Sequence, residues 1–258
     1  SKKRNMNMYT TDQFEGMIAE TTVIRGHNGD LINAYYARPS GPGPFPSVVL
    51  IHHLPGWDEL YREFTRRIAH HGYLAISPDL YCREAKGTPE DVAAAVRADG
   101  GVSDEQALGD IQGAAEYVLA LPTSNGKVGT FGTCSGGRHA FLAGCRLTVF
   151  DAVVECWGGN VIMNSDQLND KQPVSPNDYT KDLNAPLLGL FGNLDQSPTP
   201  EQVNQHENEL EKAGKSIEFH RYDDAGHGFF YYDRGAYHQP SAVDGWKKMF
   251  DFLSKNLK

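Results

Sequence analysis

The sequence is short of cysteine, has no cluster of basic residues and carries neither a long apolar run nor a repeat, and each shortage excludes something. Its four cysteines, Cys82, Cys134, Cys145 and Cys156, are widely spaced and fit neither a zinc nor a Cys-x-x-Cys pattern, so they read as reduced thiols in a cytosol. A cytoplasmic location is therefore expected. Lysine and arginine are scattered, and 24 of them stand against 33 aspartates and glutamates for a net charge of −9. Neither nucleic acid nor an anionic membrane surface is an expected partner of such a chain. No apolar run approaches the length of a membrane span. The opening Ser1-Lys2-Lys3-Arg4-Asn5 is basic, but no hydrophobic segment follows it and no signal peptide is read there. Because the chain does not begin with Met, a removed leader or tag stays open.

What is present is an alternation of strand-like and helix-like stretches. Glu20 to Arg25 and Leu31 to Ala37 are rich in β-branched and aromatic residues and flank Asn28-Gly29, a hairpin signal. Ser47 to His52 is a near-continuous apolar run, expected of a strand covered on both faces. Glu59 to His71 reads as a helix, Tyr73 to Ser77 as a buried strand, and Thr88 to Ala98 and Asp104 to Leu121 as helices. Further strands are read at Ala152 to Cys156, Pro186 to Phe191 and Ser216 to Tyr222, with helices at Glu201 to Ala213 and Trp246 to Leu257. This alternation predicts an α/β fold: a mostly parallel central sheet with helices on both faces and an antiparallel N-terminal edge. Residues 1–18 are polar and aperiodic and read as a surface arm; residues 19–258 read as a single domain. Within it, 159–184 turns to Asn, Asp, Gln, Ser and Pro without a period, which predicts a flap beside the site.

The chemistry centres on Val128-Gly129-Thr130-Phe131-Gly132-Thr133-Cys134-Ser135-Gly136-Gly137. An apolar run enters a Gly-x-Cys-x-Gly-Gly turn, and Arg138 to Gly144 leaves it with helical spacing. That is a nucleophile elbow with cysteine where serine is more usual. Gly132 and Gly136 let the backbone fold back closely, and the following helix sets N–H groups and a partial positive charge beside the sulfur, which favours thiolate. A thiol nucleophile needs a base, and the base needs an orienting acid; on such a sheet the expected order is nucleophile, acid, histidine. Asp195 follows one predicted strand, in Gly192-Asn193-Leu194-Asp195, and His227 follows the last, in Ala225-Gly226-His227-Gly228-Phe229. Singly, each has a structural alternative: a buried cysteine, a turn aspartate, a surface-turn histidine. In order, and each after its own strand, they point to catalysis. Asp223 and Asp224 are rivals for the acid role and lie within four residues of His227, where they shape its turn.

Gly-Thr-Cys-Ser-Gly-Gly, Ser77-Pro78-Asp79-Leu80-Tyr81 with Arg83, Ser124-Asn125-Gly126-Lys127-Val128-Gly129 and Ala225-Gly226-His227 together resemble the dienelactone hydrolase (carboxymethylenebutenolidase) family of the α/β-hydrolase fold. The resemblance runs from about Glu20 to the C-terminus, apart from the insertion from Gly158 to Asn184. It implies a triad of Cys134, His227 and Asp195, with oxyanion donors at the backbone N–H groups of Leu54 and Ser135. It also exposes departures. His53 stands where the family has a glutamate beside its nucleophile, and a histidine there could support the thiolate through an ion pair, with packing alone as the alternative. Arg83 matches the first of two arginines that hold the substrate carboxylate, while Tyr231 occupies the place of the second and Arg234 is out of register. Trp57, Trp157, Phe229, Phe230 and Tyr231 are candidates for an apolar acyl pocket, or for plain core.

These readings predict a cysteine hydrolase of small carboxylic esters or lactones, working through an acyl-enzyme on Cys134 with no metal or organic cofactor. Within enzymes the alternative is a thioesterase or a broader acyl or phosphoester hydrolase. Outside them it is a silent relative that binds a small ligand or a partner.

Overall fold

The apolar runs become strands and the amphipathic stretches become helices, in nearly strict alternation. In a computed structural model that describes residues 16–258, the order is β1 (Met17–Arg25), β2 (Leu31–Pro39), β3 (Phe45–Ile51), α1 (Glu59–His70), β4 (Leu74–Pro78), α2 (Pro89–Ala98), α3 (Asp104–Leu119), β5 (Ser124–Thr133), α4 (Ser135–Arg146), β6 (Ala152–Cys156), β7 (Leu187–Gly192), α5 (Pro200–Lys212), β8 (Ile217–Tyr222) and α6 (Gln239–Leu257). Of the arm expected over residues 1–18, residues 1–15 lie outside the described residues, and Met17 and Ile18 already belong to β1.

The strands form one sheet in the order β1-β2-β4-β3-β5-β6-β7-β8. β1 pairs antiparallel with β2, and β2 antiparallel with β4; every pairing from β4 to β8 is parallel. The predicted α/β architecture with its antiparallel edge is therefore what the chain adopts. Side-chain alternation along β3 explains why its sequence is apolar throughout. Val48 and Leu50 face a core with Phe64 and Ile68 of α1 and Met249 and Leu253 of α6, while Val49 and Ile51 face Ile111 and Val118 of α3 and Phe141 of α4. Fully burying a side chain such as Phe64 contributes roughly 1.5–3 kcal/mol.

One boundary departs from expectation. α6 begins at Gln239, seven residues before Trp246, and runs through Gly245. A Cβ at Gly245 would collide with the Phe230 ring, so this glycine serves close packing and does not end the helix.

The topology also fixes where a site can form. β3 is followed in sequence by β4 on one side, and the chain then crosses to β5 on the other. Such a reversal opens a crevice beyond the carboxyl ends of the two strands, the usual ligand position in open α/β sheets. Leu54 follows β3 there, and Cys134 follows β5.

Candidate active site

The elbow is built by backbone contact. β5 ends at Thr133, Cys134 takes a positive φ of 58° with ψ −123°, and α4 starts at the next residue. That conformation is costly for a side-chain-bearing residue and holds only where its surroundings enforce it. Here they do. A Cβ at Gly132 would run into the Gly136 carbonyl, and one at Gly136 into the Ile51 carbonyl. The Cys134 amide also donates to the Cys156 carbonyl at 3.1 Å.

Asp195 and His227 come from the loops after β7 and β8, and they meet: His227 Nδ1 donates to Asp195 Oδ2 at 2.7 Å. Asp195 is 5 % exposed, and its other oxygen accepts from the Ser197 amide at 2.8 Å. Neither Asp223 nor Asp224 makes that contact; Asp223 instead accepts from Asn193 Nδ2 at 2.7 Å. On the other side, His227 faces the Cys134 sulfur. Burial pushes the Cys134 thiol pKa up, but His227 and then the backbone N–H groups of Ser135 and Leu54, each acting in the sense of a hydrogen bond to sulfur, bring it below the ordinary value. Burial likewise opposes the His227 charge, and Asp195 and Cys134 together raise its pKa to about 10. Cys145 and Cys156, buried without such partners, go the other way, Cys145 to about 12. Both shifts favour a thiolate–imidazolium pair over the neutral one. The thiolate's ultraviolet absorbance is expected to persist below the ordinary thiol range of about 8.5 and to vanish in Cys134→Ala. Absorbance that appears only above that range would rule the ion pair out.

Cys134, Ser135, Leu54, Asp195 and His227 line one open pocket of about 730 Å³. The other residues singled out from the sequence are absent from its lining. Arg83 turns away: Nη1 and Nη2 each donate to the Asp110 carboxylate at 2.9 Å, and Nε donates to Asp30 at 2.8 Å. His53 is wholly buried and donates from Nε2 to Asp58 at 2.6 Å, with its ring against those of Tyr61 and Tyr231. Burial lowers its pKa despite Asp58, so it offers the sulfur no counter-charge. Tyr231 lies beneath the elbow, hydroxyl to hydroxyl with Thr133 at 2.7 Å, and Trp157 is fully buried beside it. Phe229 and Phe230 are core as well, and Trp57 lines a neighbouring pocket of about 450 Å³ with Tyr81. Arg234 lies 3.7 Å from Asp58.

Other residues take the places left open. Arg97, on the last turn of α2, lines the pocket and has no ion-pair partner among the described residues. Nothing in its local sequence marks it. Arg138 and His139 also line the pocket, and their place in the first turns of the elbow helix could have pointed to them, since that helix starts at the sulfur. Arg138 is neutralised by Asp104, whereas burial, aided by Arg138, lowers the His139 pKa to about 3, so that ring stays neutral. Gly159, Asn160 and Gln172 bring the 159–184 segment to the rim. Among the described residues no group of three or more His, Cys, Asp or Glu could hold a metal ion, and no helix is long and apolar enough to cross a membrane.

Comparison with known proteins points to one family and one fold. The chain is 37 % identical over 236 residues, 88 % of its length and 83 % of the relative's, to an Escherichia coli O157:H7 protein provisionally named carboxymethylenebutenolidase. It is 29 % identical to the carboxymethylenebutenolidase of Pseudomonas putida, over 92 % of this chain and 97 % of that one. A crystal structure from Klebsiella pneumoniae, provisionally named a dienelactone hydrolase, superposes with a TM-score of 0.85 at 31 % identity, covering 93 % of this chain and 99 % of the other. The model of the dienelactone hydrolase family matches residues 32–257, and with the α/β-hydrolase architecture and the pocket described above, the chain belongs to that family.

Proposed function

We propose that this hydrolase opens small carboxylic esters or lactones through an acyl-enzyme on Cys134. The observation that carries the reading is the line Asp195, His227, Cys134 at the floor of one open pocket, with the Cys134 thiol pKa lowered and that of His227 raised. In the first half-reaction the thiolate attacks the carbonyl carbon, and the new oxyanion accepts hydrogen bonds from the N–H groups of Leu54 and Ser135. His227 then gives its proton to the leaving oxygen as the C–O bond breaks, which leaves a thioester. In the second half-reaction neutral His227 takes a proton from water, the hydroxide adds to the thioester, and the thiolate departs with the acid product. Asp195 holds the proton on Nδ1, so that Nε2 is the nitrogen that faces sulfur, and it offsets the imidazolium charge. Arg97 supplies the pocket with an unneutralised cation, suited to a substrate that carries a carboxylate. The 159–184 segment serves as the cover on that side.

The test is intact mass after mixing with p-nitrophenyl acetate, followed by peptide mapping. A transient acetyl adduct on Cys134 that decays at the turnover rate is expected; turnover with acetyl on another residue, or with none trapped on any millisecond quench, would remove Cys134 from the mechanism.

A further inference from the structure

The N–H of Leu54 belongs to the same peptide unit as the carbonyl of His53, and this links the proposed oxyanion donor to a buried side chain outside the pocket. Among the described residues the only cis peptides are Gly43-Pro44 and Ser197-Pro198, so the 53–54 peptide is trans and its N–H and carbonyl point in opposite directions. As the N–H is turned to the Cys134 sulfur, the carbonyl is turned into the protein. Two donors meet it there: His52 Nδ1 at 3.0 Å and the Gly56 amide at 3.0 Å. His52 is itself pinned at its other nitrogen, where Nε2 accepts from the Leu80 amide at 3.1 Å. Since a carbonyl only accepts and an amide N–H only donates, the two partners specify a neutral ring with its proton on Nδ1. The ring is 1 % exposed and stands edge-on to Tyr81 at 4.6 Å, and Tyr81 Oη donates to the Leu54 carbonyl at 3.3 Å.

We propose that His52 is a positioning residue for the oxyanion hole: by tying the His53 carbonyl to the loop after β4, it fixes the plane of the peptide whose N–H stabilises the oxyanion. The inference rests on the oxyanion role read above for Leu54. Rotating that peptide away from the sulfur would break both bonds to its carbonyl. A carbonyl that accepts hydrogen bonds also polarises its peptide, which strengthens the N–H as a donor. Burial lowers the His52 pKa to about 4, in keeping with a ring that stays neutral through the working range.

His52→Phe keeps a ring against Tyr81 but has no polar atom, while His52→Gln keeps one donor and one acceptor. In His52→Phe, kcat for p-nitrophenyl acetate is expected to fall roughly 10- to 100-fold with KM unchanged, short of or level with deleting an oxyanion donor outright. The Cys134 thiol pKa is expected to rise, because Leu54 N–H no longer points steadily at sulfur, and His52→Gln is expected to recover most of both. An unchanged kcat in folded His52→Phe, or an equal loss in both variants, overturns the inference. Should His52→Phe fail to fold, nitrogen NMR of the native protein decides: a neutral ring protonated on Nδ1 supports the assignment, and a charged or Nε2-protonated ring at neutral pH overturns it. Cys134→Ala is assayed alongside. If it is dead while His52→Phe is fully active, this inference alone fails; if it stays active, the oxyanion reading fails and takes the inference with it.

Discussion

Replacing either Cys134 or His227 by alanine is expected to reduce kcat for p-nitrophenyl acetate by about 10⁴-fold or more, while the folded state is retained. Two kinds of loss converge on that figure. Without Cys134 there is no nucleophile, and water must attack a carbonyl that only the N–H groups of Leu54 and Ser135 polarise. Without His227 the thiol loses the strongest influence lowering its pKa and reverts toward the high value that burial alone imposes, as in Cys145. The leaving oxygen then lacks its proton source as well. Because the two residues act as a unit, the double variant is expected to be no slower than the slower single one. kcat/KM should fall on the acid side as the thiolate is protonated, below the ordinary thiol range, and on the alkaline side as His227 loses its proton near pH 10. Steady-state kinetics of the variants, with melting curves to confirm folding, check this; an alanine variant within about tenfold of the parent would remove that residue from the chemistry.

The residues of this unit were legible in the sequence because each is announced locally. The elbow needs small residues at fixed offsets from Cys134, Asp195 follows the apolar run of buried β7, and His227 sits in the small-residue turn Ala225-Gly226-His227-Gly228 after the half-buried β8. What escaped the sequence depends on partners distant along the chain. Arg83 looks free in its own segment, but Asp110, on α3 and 27 residues away, claims its guanidinium and turns it from the pocket. His53 stands beside the elbow, but Asp58, already the N-cap of α1 through the Tyr61 amide, holds its Nε2 and draws the ring inward. Tyr231 and Trp157 sit where pocket residues were expected by register, but a hydroxyl chain to Thr133 and close ring packing bury them. Conversely, Arg97 reaches the pocket only because α2 ends at its rim, a fact of helix placement that no spacing rule encodes. The strand order is of the same kind. Apolar runs reveal that β2 and β4 exist, and only tertiary packing determines that they pair.

The pocket wall is the place where a structural ion pair should matter most. Arg138 is almost fully buried and makes a two-pronged contact with Asp104, Nη1 to Oδ1 at 2.6 Å and Nη2 to Oδ2 at 2.9 Å. Its Nε–H donates to the Asn160 carbonyl at 3.0 Å, and Nη2 also reaches the Met163 sulfur at 3.6 Å. One guanidinium thus joins the elbow helix α4, the start of α3 and the 159–184 segment that forms the rim. Asp104→Ala is expected to destabilise the fold by about 3–5 kcal/mol, since it strands a buried positive charge, and for a domain of this size that is a fall in Tm of roughly 6–20 °C. Such a loss would exceed that of any exposed pair, for example Lys247 with Asp251, whose charges stay solvated when one partner is removed. Changing both partners to apolar residues of similar volume is expected to recover much of the stability, because the penalty comes from the uncompensated charge and not from the missing bond. It should not recover the rim. With no donor left for the Asn160 carbonyl, KM for esters is expected to rise while the acylation step at Cys134 is spared. Thermal melts and steady-state kinetics on the single and double variants separate the two effects. A double variant as unstable as Asp104→Ala would show that geometry, and not charge, is what this pair supplies; one with an unaltered KM would show that the rim stands without Arg138.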